Sequence, residues 1–378
     1  MDHQPIYLDY NATTPCDPRV VEAMLPYFTQ YFGNPASADH QYGWKAKDAA
    51  DEAREQIAAL IGAAAGQVIF TSGATESINL GLKSIAAKAG HIISCKTEHK
   101  AVLDTLAYLE TKGLSVTYLD TNESGALSPA AVEAAVTPDT IAVAIMYANN
   151  ETGVIHPVKE IGNITRQHNI AFFCDATQAV GKINVDVERD NIDLMAFSSH
   201  KLYGPKGVGA LYTRQRRTLF AQQHGGSHEF GLRSGTLNMP GIVGFGKAAA
   251  ICALEMQQEA QRLSALRDQL EQTMLQQLPG ASVNGGHNRL PHVTNLLLPH
   301  PNAEQLLLSL SAHLALSRGS ACSGLVQQPS HVLKAMGLND EQVYRAVRFS
   351  LGRFTSGNDI DKAMMYITHA ILHGEPAG

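Results

Sequence analysis

The stretch AFFCDATQAVGKINVDVERDNIDLMAFSSHKLYGPKGVGALYT, residues 171–213, decides the fold. It holds three short apolar runs, at 171–175, 194–198 and 208–212, and small or polar residues follow the first two. A strand with one solvated face alternates apolar and polar residues. These runs do not alternate, so each strand is expected to be buried on both faces. The same texture recurs upstream at 68–72, 92–95, 116–119 and 141–146, with helical patterns between at 43–61, 75–87 and 101–112. Apolar strands alternating with helices predict an α/β fold with a mostly parallel sheet covered on both faces. After Gly235 the texture changes. Residues 242–278 read as one long helical stretch, followed by strands at 293–298 and 314–317, a helix at 303–311 and a last helix at 359–373. This predicts a smaller α+β domain. The expected division is a large domain at 15–240 and a small one made of 1–14 and 241–378, sharing a broad interface of the kind where ligands bind.

Bulk properties narrow the class. The 378 residues are 44% hydrophobic and 17% charged, with a formal net charge of −6. That balance argues against a general nucleic-acid or anionic-membrane surface. The first ten residues have neither a basic nor an apolar segment of the signal-peptide type, and no membrane span is expected, so a cytoplasmic location follows. The cysteines, Cys16, Cys95, Cys174, Cys252 and Cys322, are odd in number and contain no CxxC pair. They read neither as a disulfide framework nor as a zinc site, and no metal ligands are expected. Cys95 and Cys174 close apolar runs and are expected in the core.

In an open parallel sheet, ligands bind beyond the carboxyl ends of the strands. The first strand is followed by Ser72-Gly73-Ala74-Thr75-Glu76-Ser77, where small residues open a helix whose N–H groups and dipole favour a phosphate. Thr75 by itself is equally a plain helix cap. The fourth strand is followed by Asn149-Asn150-Glu151-Thr152-Gly153, the fifth ends in Asp175-Ala176-Thr177-Gln178, and the sixth in Ser198-Ser199-His200-Lys201. Singly, Asp175 reads as a cap and Lys201 as a surface lysine. At successive strand ends they match a pyridoxal phosphate (PLP) site. The lysine forms a Schiff base, the acid keeps the pyridine nitrogen protonated, amides hold the phenolic oxygen, and hydroxyls with a helix N-terminus hold the phosphate.

Further motifs run in order along the chain: Ile6-Tyr7-Leu8-Asp9-Tyr10-Asn11-Ala12-Thr13-Thr14-Pro15, Phe32-Gly33-Asn34-Pro35-Ala36-Ser37, Thr97-Glu98-His99, Arg233-Ser234-Gly235-Thr236, Gly319-Ser320-Ala321-Cys322 and Arg348-Phe349-Ser350-Leu351-Gly352-Arg353. With these the chain resembles the cysteine desulfurases of the NifS/IscS kind, class V enzymes of PLP fold type I. The resemblance implies that Lys201 carries the cofactor, Asp175 pairs with its ring nitrogen, His99 stacks on the ring and Gln178 holds the phenolic oxygen. It gives Ala74, Thr75, Ser198 and His200 to the phosphate. Thr236 goes to the phosphate of a neighbouring subunit, which implies a homodimer with shared sites. Asn150 and Arg348 are implied to hold substrate, with Asn34 at its entrance, and Arg353 to be structural.

The resemblance also implies the reaction. L-cysteine becomes L-alanine, its sulfur passes to Cys322 as a persulfide, and the sulfur goes on to an acceptor protein for iron–sulfur assembly, tRNA thiolation or DNA phosphorothioation. Selenocysteine lyase and class V aminotransferase are the alternatives among enzymes of the fold, and a non-catalytic scaffold or sulfur-carrier subunit is the alternative to an enzyme. Three departures stand out. Arg318 replaces a serine usual in the family, placing a cation four residues before Cys322, where it would favour the thiolate or bind an anionic partner. Leu325 and Val326 then predict a more ordered loop, and the chain stops at Gly378 without the long tail of the housekeeping enzyme, hinting at a specialised sulfur route.

Overall fold

The computed structural model describes residues 4–87, 89–318 and 329–374. Its main sheet has seven strands: β1 (Val68–Thr71), β2 (His91–Cys95), β3 (Ser115–Leu119), β4 (Thr140–Ala144), β5 (Ala171–Asp175), β6 (Leu194–Ser198) and β7 (Gly209–Thr213). They lie in the order β1-β7-β6-β5-β4-β2-β3. Only β7 runs against the rest, pairing antiparallel with both β1 and β6. The mostly parallel α/β sheet expected from the sequence is therefore present, with one reversed strand that the apolar pattern does not reveal.

The continuous apolar runs have the expected cause. Along β5 and β6, Phe172, Cys174, Met195 and Phe197 enter one core, while Phe173, Leu194 and Ala196 enter another on the opposite face. Side chains alternate across a strand, so a strand covered on both sides needs apolar residues at every position. Cys95 and Cys174 are fully buried, as expected. Helices α1 (Gln41–Leu60), α2 (Ala74–Ile85), α3 (Lys100–Glu110) and α4 (Val158–Gln167) cover the faces.

The long helical stretch forms one element, α5 (Met239–Gln277). Its first half buries Phe245, Ala248 and Ile251 in the core that holds Phe172, and its second half buries Leu263, Leu270 and Met274 in a separate core. At Gly246 an added Cβ would lie 2.5 Å from the Ala53 Cα, so glycine is what lets α1 approach α5 so closely. By length and composition α5 could cross a membrane; many of its apolar residues are instead buried in the two cores.

The second core contains Leu8, Leu296, Leu306, Leu314, Val347, Phe349, Ile360 and Ile367. A three-stranded antiparallel sheet supports it: β8 (Ser282–Asn284), β9 (Val293–Leu297) and β10 (Ala346–Ser350), with β9 central. Neither β8 nor β10 is expected from the apolar pattern. The strand expected at 314–317 is shorter, Leu314–Ala315, paired parallel to Ile6–Tyr7, with a single further bridge from Ser317 to Arg348. The last helix, α6 (Gly357–His373), begins two residues earlier than expected. Ser356 and Asp359 form a capping box at its start, an arrangement typically worth about 1 kcal/mol.

Candidate active site

The carboxyl ends of β1, β6, β5, β4 and β2 open side by side into a cavity of about 830 Å³. Because β7 is reversed, it brings its preceding residues, Lys206 and Gly207, to the same rim. The opposite wall comes from the second core's side of the molecule: Asp9, Asn11, Glu304, Leu308, Arg318 and Arg348.

Helix α2 starts at this cavity. Its N-cap, Gly73, has no side chain to satisfy the first-turn N–H groups, and Ala74 and Thr75 line the opening. A Cβ on Gly209 would lie 2.6 Å from the Gly73 Cα, so glycine at 209 lets β7 pass beneath this turn. Glu76, also in the first turn, accepts the Ser72 N–H at 2.7 Å and pairs with Arg233 at 2.9 Å. Burial pushes its carboxyl up, but these bonds outweigh that and hold it below the usual range. A free N-terminal turn of a twelve-residue helix, flanked by Ser198 and His200, fits a phosphate.

Lys201 reaches the cavity from the turn Ser199–Lys201 after β6. Burial and then the nearby Arg348 cation push its amine down to about 8, so a usable fraction is unprotonated near neutral pH. Its Nζ donates to the carbonyls of Asn11 and Ala12, the latter at 2.7 Å. Two residues on, Tyr203 adopts φ +64°, a strained conformation for a non-glycine residue. It is held there from several sides: its N–H donates to Thr14 Oγ1, its carbonyl accepts the Asp17 N–H, and its hydroxyl donates to Glu259 at 2.8 Å.

His99 caps α3, its Nδ1 accepting the Ala101 N–H at 3.0 Å. Enclosure by protein lowers its affinity for a proton. With Nδ1 occupied as an acceptor, the ring is a neutral imidazole protonated on Nε2. Asp175 closes β5 and accepts the Thr177 N–H at 2.9 Å, while Gln178 donates to the Asn11 carbonyl at 3.1 Å. His200 Nδ1 lies 3.0 Å from Thr13 Oγ1, and burial depresses its imidazole to about 4. The loop carrying Asn150 is shaped by Asn149, whose Oδ1 accepts the N–H groups of Glu151 and Thr152 and whose Nδ2 donates to Thr97 O.

Arg348 lies on β10 and is 3% exposed. It donates through Nη1 to Asn150 O at 2.8 Å and through Nη2 to Asp9 at 2.5 Å. Arg353 is turned away from the cavity. It bonds Asp17 at 2.7 Å and Glu259 at 2.8 Å, and lies 4.2 Å from the Tyr203 ring centre.

One cavity thus gathers Ala74, Thr75, His99, Asn150, Asp175, Gln178, Ser198, His200, Lys201 and Arg348. Thr236 and Asn34 do not line it. Cys322 lies outside the described residues, as does the expected order of its loop. Arg318 lines the cavity mouth and pairs with Glu304 at 3.5 Å. Asp9, Asn11 and Ala12 also line the cavity, and no role for them is legible in the sequence although all three belong to the 6–15 motif. Their meaning depends on contacts with residues far along the chain.

The Aminotransferase class-V family matches residues 6–363. A curated relative, the cysteine desulfurase IscS of Anaeromyxobacter dehalogenans (strain 2CP-C), is 51% identical over 367 residues, covering 95% of this chain and 91% of the relative. The chain belongs to the class V aminotransferases, among the cysteine desulfurases. A solved NifS-like protein is 35% identical with a TM-score of 0.91, covering 97% of this chain and 99% of that one. A structure described as SspA in complex with cysteine is 38% identical with a TM-score of 0.81, covering 93% and 99%. The fold described above is that of a desulfurase in this family.

Proposed function

We propose that this desulfurase converts L-cysteine to L-alanine in the cavity at Lys201 and receives the sulfur on Cys322 as a persulfide, using PLP. One observation carries this reading: a single cavity combines an amine depressed to about 8, a carboxylate at an adjacent strand end, a neutral imidazole, a free helix N-terminus and a buried guanidinium. The residues fit PLP. Ala74, Thr75, Ser198 and His200 would hold the phosphate, Asp175 the ring nitrogen, Gln178 the phenolic oxygen and His99 the ring face, with Asn150 beside the ring and Lys201 as the attachment point. When bound, the cofactor supplies an electron sink for the Cα carbanion.

The chain's own groups do the rest. Arg348 presents a planar fork to the substrate carboxylate. Lys201, with its depressed amine, removes and returns the proton at Cα. The thiolate of Cys322 bonds to the substrate sulfur as the carbon–sulfur bond breaks. The electron pair left on carbon is protonated, giving alanine, and Cys322 keeps the sulfur as a persulfide. An acceptor protein thiol then takes that sulfur.

Thr236 is assigned to the phosphate site of a second copy, making the protein a homodimer. The position of Thr236 and Asn34 away from their own cavity supports this assignment. The PLP domain is placed at 15–240, with 1–14 and 241–378 forming the small domain, and the enzyme in the cytoplasm. The test is incubation with L-cysteine followed by peptide mass spectrometry. One extra sulfur on the Cys322 peptide, with matching alanine, is expected. Sulfur on Cys16, Cys95, Cys174 or Cys252 instead would sink the proposal.

A further inference from the structure

Asn11 is a junction between distant parts of the chain. Its N–H donates to Ser350 Oγ at 3.0 Å, and its side-chain Nδ2 donates to Asn150 O at 3.0 Å. Its carbonyl accepts both Gln178 and Lys201. Its Oδ1 faces His292 Nε2 at 2.9 Å.

The amide orientation is dictated by its surroundings. The opposite flip would set Oδ1 against the Asn150 carbonyl, two acceptors in contact. Oδ1 therefore accepts, and His292 Nε2 must carry the donated proton. His292 is 1% exposed, and burial holds its imidazole well below the usual range, so the ring is neutral. Its single proton is on Nε2, and Nδ1 has no partner among the described residues. His292 directly precedes β9, and its carbonyl accepts the Leu351 N–H at 2.9 Å, which fixes the ring's position against β10. The fixed tautomer thus serves one bond, the one to Asn11.

We propose that the carbonyls of Asn11 and Ala12 form a cradle for the freed amine of Lys201, and that His292 is the positioning residue that holds this cradle through the Asn11 amide. The proposal rests on Lys201 being the cofactor-bearing lysine, because only such a lysine alternates between bound and free states. An ammonium has three N–H donors, and two carbonyls on one side of the cavity fix its direction. Other charges also face it: the Arg348 cation opposes protonation, Asp9 and Asp175 favour it, and the imidazoles of His99 and His200 line the same cavity. The carbonyls add acceptors that favour the protonated, parked form. Lys201 then stays within reach of the reacting carbon instead of swinging into the cavity mouth.

The test uses the full-length apoprotein, labelled with a limiting amine-acylating reagent over a range of pH, with the Lys201 peptide quantified by mass spectrometry. Asn11→Ala keeps both backbone carbonyls and the bond from its N–H to Ser350, but removes the side-chain anchors to Asn150 and His292. It and His292→Leu should each lower the labelling midpoint of Lys201 by about one pH unit, raising labelling at neutral pH about fivefold. His292→Gln, whose amide can donate the same bond, should stay at the wild-type midpoint. An unmoved midpoint in Asn11→Ala, or the same drop in His292→Gln as in His292→Leu, overturns the proposal. Should His292→Leu fail to fold, Asn11→Ala and His292→Gln decide the matter. If the underlying reading is wrong, Lys201→Ala will keep the cofactor's yellow colour, a failure visible whatever the labelling shows.

Discussion

Replacing each of the two arginines that flank residues 349–352 should give opposite phenotypes. Arg348 lines the cavity and is bonded to Asp9 and Asn150 O. Arg348→Ala removes a buried guanidinium from that wall, and the substrate carboxylate loses a charge-assisted partner at a cost of about 2–5 kcal/mol. At about 1.4 kcal/mol per tenfold, KM for L-cysteine should rise roughly 30-fold to several-thousand-fold. The fold should suffer less, because the Asp9 side chain is 20% exposed and water can replace its partner. Arg353 is the converse. It lies between Asp17 and Glu259, whose side chains are 2% and 9% exposed. Arg353→Ala strands two buried carboxylates, although Asp17 keeps Arg19 and Glu259 keeps the Tyr203 hydroxyl. The loss should be about 3 kcal/mol of stability, the low end for breaking a buried pair, with KM little changed. Alanine formation at varied cysteine concentration, together with denaturant unfolding of both variants, separates the two effects. If Arg353→Ala raises KM more than Arg348→Ala does, the assignment of the carboxylate site is refuted.

Lys201→Ala should abolish the visible absorbance of the purified protein and all turnover; normal turnover in this variant would rule out the PLP assignment. Cys322→Ser should still bind L-cysteine with a spectral change, because binding needs only the cavity residues, but should release almost no alanine and gain no sulfur by mass spectrometry. His156 is fully enclosed, with its proton affinity lowered by burial to about 4 against an ordinary 6.5. Between those values the unfolded chain binds a proton that the native state refuses, so stability is present above 6.5 and falls as pH drops towards 4. Through this group acidification should cost about 3 kcal/mol. Denaturant unfolding should show that His156→Gln loses that much less than wild type over the window; equal losses would contradict it.

Much of the site is legible in the order of residues along the chain. Asp175, Lys201, Thr75 and Asn150 each follow an apolar run, and in a parallel sheet the residues after such runs converge by construction. The reversal of β7 is not legible, because Gly209–Thr213 is as apolar as its parallel neighbours and its direction depends only on pairing. β10 is hidden because Ala346–Ser350 contains Arg348, a charge that Asp9 and Asn150 O meet in the interior. Arg318 reads in the sequence as a cation that would favour the nearby thiolate or bind an anionic partner. The structure pairs it with Glu304, a partner 14 residues earlier on another element.

By itself the sequence determined which residues are apolar at every position, where the chain breaks, and which amine, acid and thiol are available. Those are local properties, carried by side-chain chemistry and the strand period. Tertiary structure alone decided how these groups meet. The depressed Lys201 amine comes from burial and from Arg348, 147 residues away along the chain. The carbonyls holding that amine come from Asn11 and Ala12, near the start of the chain, and the ring bracing Asn11 from His292. Proton affinities and hydrogen-bond partners depend on distances in space, and no local pattern of residues contains them.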